Sequence, residues 1–139
     1  MLETIETNDC YMDVVIDSTS RFEQDLSSMS KDQKDLTIQK INDCAALFPE
    51  HKSNAYRKLR RLPFLPLNIS GYDSSLYTMR ISPELRIILT VDEDPIFGQM
   101  IFTLFRIANR NDFNKAYQGV VESLYKDLNH QTLESVLAS

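Results

Sequence analysis

Glycine is scarce in this 139-residue chain, which carries only Gly71, Gly98 and Gly119. That scarcity excludes a G-x-x-x-x-G-K-[ST] phosphate loop and a G-x-G-x-x-G dinucleotide turn, since both need glycines at fixed offsets. Histidine is rarer still, and His51 and His130 lie too far apart for an H-E-x-x-H zinc site. Cys10 and Cys44 are likewise too distant for a C-x-x-C clasp and are expected to be reduced, unpaired and packed. No apolar run approaches the ~18 residues that span a bilayer. The first residues, Met1-Leu-Glu-Thr-Ile-Glu6, are acidic, the wrong sign for a secretory leader. What is present is 42% hydrophobic and 25% charged, the composition of a globular protein. The expectation is one domain over residues 1–139, cytoplasmic, with no cofactor and no metal.

The net charge of −5 is unevenly spread. Residues 1–50 hold four basic and eleven acidic side chains, residues 51–91 seven and two, and residues 92–139 four and seven. From His51 to Tyr72 there is no carboxylate, while Lys52, Arg57, Lys58, Arg60 and Arg61 all fall there. An acidic body argues against promiscuous nucleic-acid binding, which depends on neutralising many phosphates. A local basic patch on such a body can still receive one anion or one acidic partner.

Tyr11–Asp17 is rich in β-branched residues and predicts a first strand. Ser18, Thr19 and Ser20 offer N-caps for a short helix with the apolar stripe Phe22, Leu26 and Met29. Ser30-Lys-Asp-Gln33 fits a capping box for a second helix, whose apolar face reads Ile38, Ile41, Ala45 and Phe48 and which Pro49 closes. The stretch Glu50–Ser75 holds Pro63, Pro66 and Gly71 without a clean period and reads as mostly loop. Strands follow at Leu76–Ser82, Leu85–Val91 and Met100–Ala108, with Asp92-Glu93-Asp94-Pro95 as a solvated turn. A closing helix carries Phe113, Tyr117, Val121, Leu124 and Leu128 on one face, and Leu133, Val136 and Leu137 either extend it or fray. The order β-α-α-β-β-β-α predicts an α+β fold with a small antiparallel sheet.

The two strands around Pro83 have a chemical consequence. Tyr77, Met79 and Ile81 share one face of the first arm, and Leu85, Ile87, Leu89 and Val91 one face of the second. Turning both to one core requires an odd loop such as Ser82-Pro83-Glu84, which sets Arg80 directly across from Arg86. Like charges so paired are destabilising unless an anion lies between them, and two guanidinium forks suit a phosphate. Glu84 is the weak point, because a three-residue loop favours glycine. Arg110 follows the last strand at the mouth of the closing helix, whose dipole also favours an anion.

Four segments in order resemble the RelE/ParE toxin superfamily of bacterial toxin–antitoxin systems: Arg57-Lys-Leu-Arg-Arg-Leu-Pro63, Leu76-Tyr-Thr-Met-Arg-Ile-Ser82, Leu85-Arg-Ile-Ile-Leu89, and Ile107-Ala-Asn-Arg-Asn-Asp-Phe-Asn-Lys-Ala-Tyr117. The resemblance covers about residues 11–118 and leaves 119–139 as a C-terminal helical extension. It implies a curved antiparallel sheet behind an N-terminal strand and helical hairpin. It also implies a type II toxin that cuts mRNA in the ribosomal A site without metal, the 2′-hydroxyl attacking the adjacent phosphate to leave a 2′,3′-cyclic phosphate.

By the same resemblance Arg80 and Arg86 match the residues that hold the scissile phosphate, and Arg110 the basic residue at the leaving group. Tyr117 lies about one position from the family's aromatic or histidine site. Lys58 and Arg60 match a basic pair before the second strand that contacts RNA, and with Lys52, Arg57 and Arg61 of the same basic run they form the expected RNA-binding patch. The implied partners are a cognate antitoxin, mRNA and the ribosome, and the family pattern allows a heterotetramer with the antitoxin. Thr78 stands where many ribonuclease members carry lysine or glutamate, and threonine cannot act as a base at neutral pH. That departure favours the alternatives: a ParE-like inhibitor of DNA gyrase, or a non-catalytic member that binds an antitoxin or regulates transcription. Tyr117, on the apolar face of the last helix, is by residue type more often core than catalyst.

Overall fold

The computed structural model describes residues 13–62 and 75–138. Cys10, the first two residues of the expected first strand, and Pro63, Pro66 and Gly71 lie outside the described residues, as do the side chains of Leu128, His130, Leu133, Val136 and Leu137.

The chain runs β1 (Asp13–Ser18), α1 (Ser20–Ser27), α2 (Lys31–Leu47), α3 (Lys52–Arg57), β2 (Leu59–Arg61), β3 (Ser75–Arg80), β4 (Leu85–Asp94), β5 (Gln99–Asn109) and α4 (Phe113–Ala138). The five strands form one sheet in the order β1-β5-β4-β3-β2. The fold is α+β, as the sequence predicts, with two refinements. β1 pairs with β5 in parallel, Asp13 opposite Gln99, so the sheet is mixed rather than wholly antiparallel. The reason is topological: the α1–α2 hairpin, β2, β3 and β4 intervene before β5, and β1 has no tight turn to impose an antiparallel partner. The stretch expected to be mostly loop holds α3 and the three-residue β2, because Ala55 and Leu59 are drawn into the core.

Local chemistry sets the helix starts. Thr19 caps α1, accepting from the Phe22 N–H at 3.2 Å, and its hydroxyl donates to the Phe105 carbonyl at 3.0 Å. The capping box of α2 forms as predicted, with the Gln33 N–H on Ser30 Oγ at 3.3 Å and the Ser30 N–H on Gln33 Oε1 at 3.5 Å. Its buried face is Thr37, Ile41, Cys44 and Ala45, with Phe48 as the buried C-cap; Ile38 is 45% exposed. Ile41, Ala45 and Phe48 of the predicted stripe are buried as expected, Ile38 turns to solvent, and Thr37 and Cys44 complete the face toward the sheet. Met29 falls beyond α1, which ends at Ser27, and packs against the core from the connection.

The helical hairpin covers one sheet face, burying Phe22, Ile41, Phe48, Met79, Ile87, Leu89, Met100 and Phe102. Phe48 sits edge-on to Tyr56 at 5.1 Å and to Phe102 at 5.2 Å. α4 covers the other face through a smaller cluster of Leu76, Ile88, Ala108, Ala116 and Val120. Asp92–Asp94 belongs to β4 rather than to the turn, which is Pro95–Gly98. There Asp94 Oδ1 accepts from the Ile96 and Phe97 N–H groups, and Gly98 takes φ 63°, a conformation natural to glycine. Among the described residues, no helix is long and apolar enough to cross a membrane.

Candidate phosphate-binding site

The site is set by strand register. Arg80 is the direct partner of Arg86, as the odd loop requires, with the Ile81 N–H on the Leu85 carbonyl at 2.9 Å closing Ser82-Pro83-Glu84. The loop manages without glycine because Ser82 Oγ accepts from the Glu84 N–H at 3.3 Å and the Leu85 N–H at 3.2 Å. Directly opposed residues on antiparallel strands have Cβ atoms about 4.5–5.5 Å apart, so the two arginine side chains start out as cross-strand neighbours.

Direct partners share a sheet face. Arg60 pairs with Thr78, Thr78 with Ile88, and Arg86 with Ala108, which places Arg60, Thr78, Arg80 and Arg86 on the face that α4 covers. Leu85 pairs with Asn109, so Arg110 leaves β5 at the same end of the sheet as the β3–β4 loop. α4 opens beside it, where Asn109 Oδ1 accepts from the Asp112 N–H at 2.9 Å. Arg80 and Arg110 are exposed and Arg86 is half-buried. Among the described residues, none of the three forms a salt bridge; the carboxylate pairs fall elsewhere, Arg106 on Asp25 at 2.7 Å and Lys52 on Glu93.

Tyr117 is half-buried on α4, stacked on Phe113 with ring centroids 6.4 Å apart, and packs against the Ile88–Ala108 cluster. Thr78 is 3% exposed and its hydroxyl has no hydrogen-bond partner. A buried hydroxyl of this kind offers no base to a substrate arriving from solvent.

The basic segment divides on folding. Lys52 is held by Glu93, which pairs with Met100 at the opposite end of β4 from Arg86. Arg60 and Arg61 point to opposite faces of β2, Arg61 lying across from Tyr77. Arg57 is exposed in the last turn of α3. Lys58 lines a cavity of about 180 Å³ with Lys40, Cys44, Met79 and Arg80. The structure thus brings Lys58, Arg60, Arg80, Arg86 and Arg110 to one end of the sheet and leaves Lys52 and Arg61 apart. Lys40 is the addition that sequence reading passes over, because within α2 it reads as one more solvated charge.

Two groups near these residues titrate abnormally. Burial pushes the Cys44 thiol up to about 11, against the opposing charge of the Lys58 ammonium. The Tyr56 phenol is raised further above its ordinary range, first by burial and then by Glu93, Tyr77 and Asp92. Among the described residues, no group of three or more His, Cys, Asp or Glu side chains gathers as a metal site would require.

No family model matches the chain, and no curated protein matches it. Among solved structures it is similar to a chain in the crystal structure of the archaeal RelE–RelB complex from Pyrococcus horikoshii OT3, at 14% identity, covering 71% of this chain and 97% of that chain, with a TM-score of 0.49.

Proposed function

We propose that the protein is the toxin of a type II toxin–antitoxin pair and acts as a RelE-like, metal-independent endoribonuclease on ribosome-bound mRNA. The observation that carries this reading is Arg80 opposite Arg86, on the sheet face beside Arg110 and the start of α4. Two cross-strand arginines with no carboxylate partner among the described residues repel in the free protein and would be neutralised by a phosphodiester. When the RNA 2′-hydroxyl attacks the adjacent phosphorus, its proton passes to water and the P–O5′ bond breaks, and Arg80 and Arg86 meet the charge on the non-bridging oxygens while water returns a proton to the departing oxygen. Arg110 meets the charge that develops on the departing 5′-oxygen. Arginine stays protonated, so its contribution is electrostatic rather than proton transfer. Tyr117, Arg57 and Arg60 complete the proposed RNA-facing set. A flexible acidic segment of the antitoxin would cover this cationic end, gaining its order on binding.

The test is cleavage of ribosome-bound mRNA beside thermal denaturation. Arg80→Ala and Arg86→Ala are expected to melt at or slightly above the parent temperature while cleavage falls ~10²–10³-fold, the usual loss for one transition-state donor. Early melting with activity lost only in proportion, or normal cleavage, overturns the reading.

Buried Thr78 favours a second reading, a ParE-like inhibitor that binds DNA gyrase and cuts nothing. Expression in a bacterial host separates the two. The ribonuclease stops protein synthesis first, whereas the gyrase inhibitor induces a DNA-damage response with translation intact.

A further inference from the structure

Among the described residues the outer strands of the sheet are β1 and β2, and they are guarded unequally. β2 is three residues long and carries Arg60 and Arg61, so it offers little to an incoming strand. β1 is six residues long, pairs with β5 without a register shift, and contains no proline, glycine or lysine. The Asp13 N–H bonds to the Gly98 carbonyl and the Thr19 N–H to the Leu104 carbonyl, both at 3.0 Å. Alternation along a parallel strand then turns the N–H and C=O of Asp13, Val15 and Asp17 toward β5. Those of Val14 and Ile16 point the other way, where no described strand lies.

A groove runs beside that free edge, between β1 and α2. Its two halves, about 260 and 560 Å³, meet at Asn42. Ile16, Ile38 and Ile41 line the first, and Val14, Ala45 and Pro49 the second. Ile16 is 41% and Ile38 45% exposed, so apolar surface lies in water that an added strand would cover. The charge here has one sign. Glu23 and Glu50 stand in the two halves, and neither half is lined by lysine or arginine. Asp13 and Asp17 lie on the opposite face of β1, flanking Val15, which is 40% exposed.

Directly paired residues share a sheet face. An added strand therefore sets every second side chain over the groove and the others beside Asp13 and Asp17. The first set must be apolar and the second basic. A second copy of this chain fits poorly, because antiparallel pairing centred on Val15 sets Asp13 of each copy across from Asp17 of the other. Residues 1–50 also hold eleven acidic side chains against four basic ones, so two such halves repel.

We propose that the free edge of β1 is a docking site for an extended partner segment that alternates apolar and basic residues and joins the sheet as a further strand. β5 separates β1 from β4, so this surface is distinct from the Arg80–Arg86 pair and does not depend on the ribonuclease reading.

The experiment follows backbone amide exchange by NMR in the full chain, with a blocked octapeptide alternating valine and lysine as the probe. In the dilute free chain the Val14 and Ile16 N–H groups exchange fast, and those of Val15 and Asp17 slowly. The peptide is expected to slow the first pair about tenfold or more at saturation and to move the Ile16 and Ile38 methyl resonances. A peptide that groups the valines apart from the lysines, and one with glutamate in place of lysine, leave both readouts unchanged. Ile16→Pro deletes an N–H that β5 does not use, so melting stays near the parent value while peptide binding is lost. Asp13→Asn combined with Asp17→Asn keeps the fold and weakens binding about 3–10-fold, the share of two cross-strand ion pairs. That double variant decides the matter if the proline variant unfolds. Val14 and Ile16 already protected in the dilute chain means that the chain's own residues cover the edge, and protection rising with chain concentration alone means a second copy. Either result overturns the proposal. So does equal binding of the regrouped or the glutamate peptide, or undiminished binding by a folded Ile16→Pro or by the double variant.

Discussion

The two faces of the sheet differ in what they bury and in what they leave unpaired. On the α1–α3 face, aromatic and aliphatic side chains close on each other, and Phe48 touches both Tyr56 and Phe102 edge-on. On the α4 face the cluster is small, built on Leu76, Ile88, Ala108, Ala116 and Val120. Toward the β3–β4 loop it gives way to Thr78, whose hydroxyl has no partner among the described residues, and to Arg80 and Arg86, which form no salt bridge among them. The first face spends its residues on stability. Both faces bury a hydroxyl without a partner among the described residues, Thr37 on the first and Thr78 on the second, so what sets the second apart is the direct pairing of Arg80 with Arg86.

The largest effect is expected on the closed face. Phe48→Ala is expected to cost ~3–5 kcal/mol in urea denaturation, combining lost burial with a cavity. A cost below that of any α4-face substitution breaks the contrast. Next comes Arg86→Ala paired with Phe48→Ala in one assay series. On the proposed ribonuclease reading, the first is expected to lose ~10²–10³ in cleavage with unchanged stability, and the second to lose stability with activity per folded molecule retained. Asp25 comes third. It accepts from Arg106 Nε at 2.7 Å and from the Ile107 N–H at 3.0 Å, holding α1 to β5. Asp25→Ala leaves both donors short of a partner and is expected to cost ~2–3 kcal/mol by denaturation.

The buried thiol gives a pH-dependent version of the contrast. Cys44 is raised from the ordinary 9.0 to about 11 in the folded chain, so above pH 9 the unfolded chain loses this proton while the folded chain keeps it. Its contribution is fully present below pH 9 and is lost as pH rises toward 11, on the order of 2 kcal/mol. Cys44→Ala is expected to remove that part of the slope between pH 9 and 11; an unchanged slope means that the thiol is not closed off. Smallest is Thr78→Val, which replaces an unsatisfied hydroxyl by a methyl of the same shape and is expected to be neutral or to stabilise by up to ~1 kcal/mol. Unchanged cleavage in that variant confirms that Thr78 supplies no base, and a large loss would sharpen the α4 face into a site that needs it.

Much of this arrangement is legible in residue order. The Ser30/Gln33 box, the Thr19 cap and the alternation around Pro83 each depend on neighbours within a few positions, and each forms. Ile38 illustrates where local pattern stops: it fits the apolar spacing of Ile41, Ala45 and Phe48, which are buried, yet it lies at the edge of that face and Thr37 is buried instead. β2 is three residues long and owes its extended form to pairing with β3, a partner no local pattern announces. The parallel place of β1 is equally non-local.

Of the candidate site, the Arg80–Arg86 pairing was determined by the sequence itself. Strand side chains alternate with period two, and a loop of odd length leaves only one register in which both apolar faces meet one core. The place of Arg110 beside the closing helix follows from adjacency in the chain. Lys40 is different. It lies forty residues before Arg80 in an acidic stretch, and only the packing of α2 on the sheet, with Cys44 and Met79 beneath, brings it to the same cavity as Lys58 and Arg80. Tertiary structure also separated Lys52 from the basic segment, by giving it Glu93 at the far end of β4. The division follows from range: register and capping are settled by contacts a few residues apart, whereas charges on different elements meet only after burial has fixed which helix faces lie against the sheet.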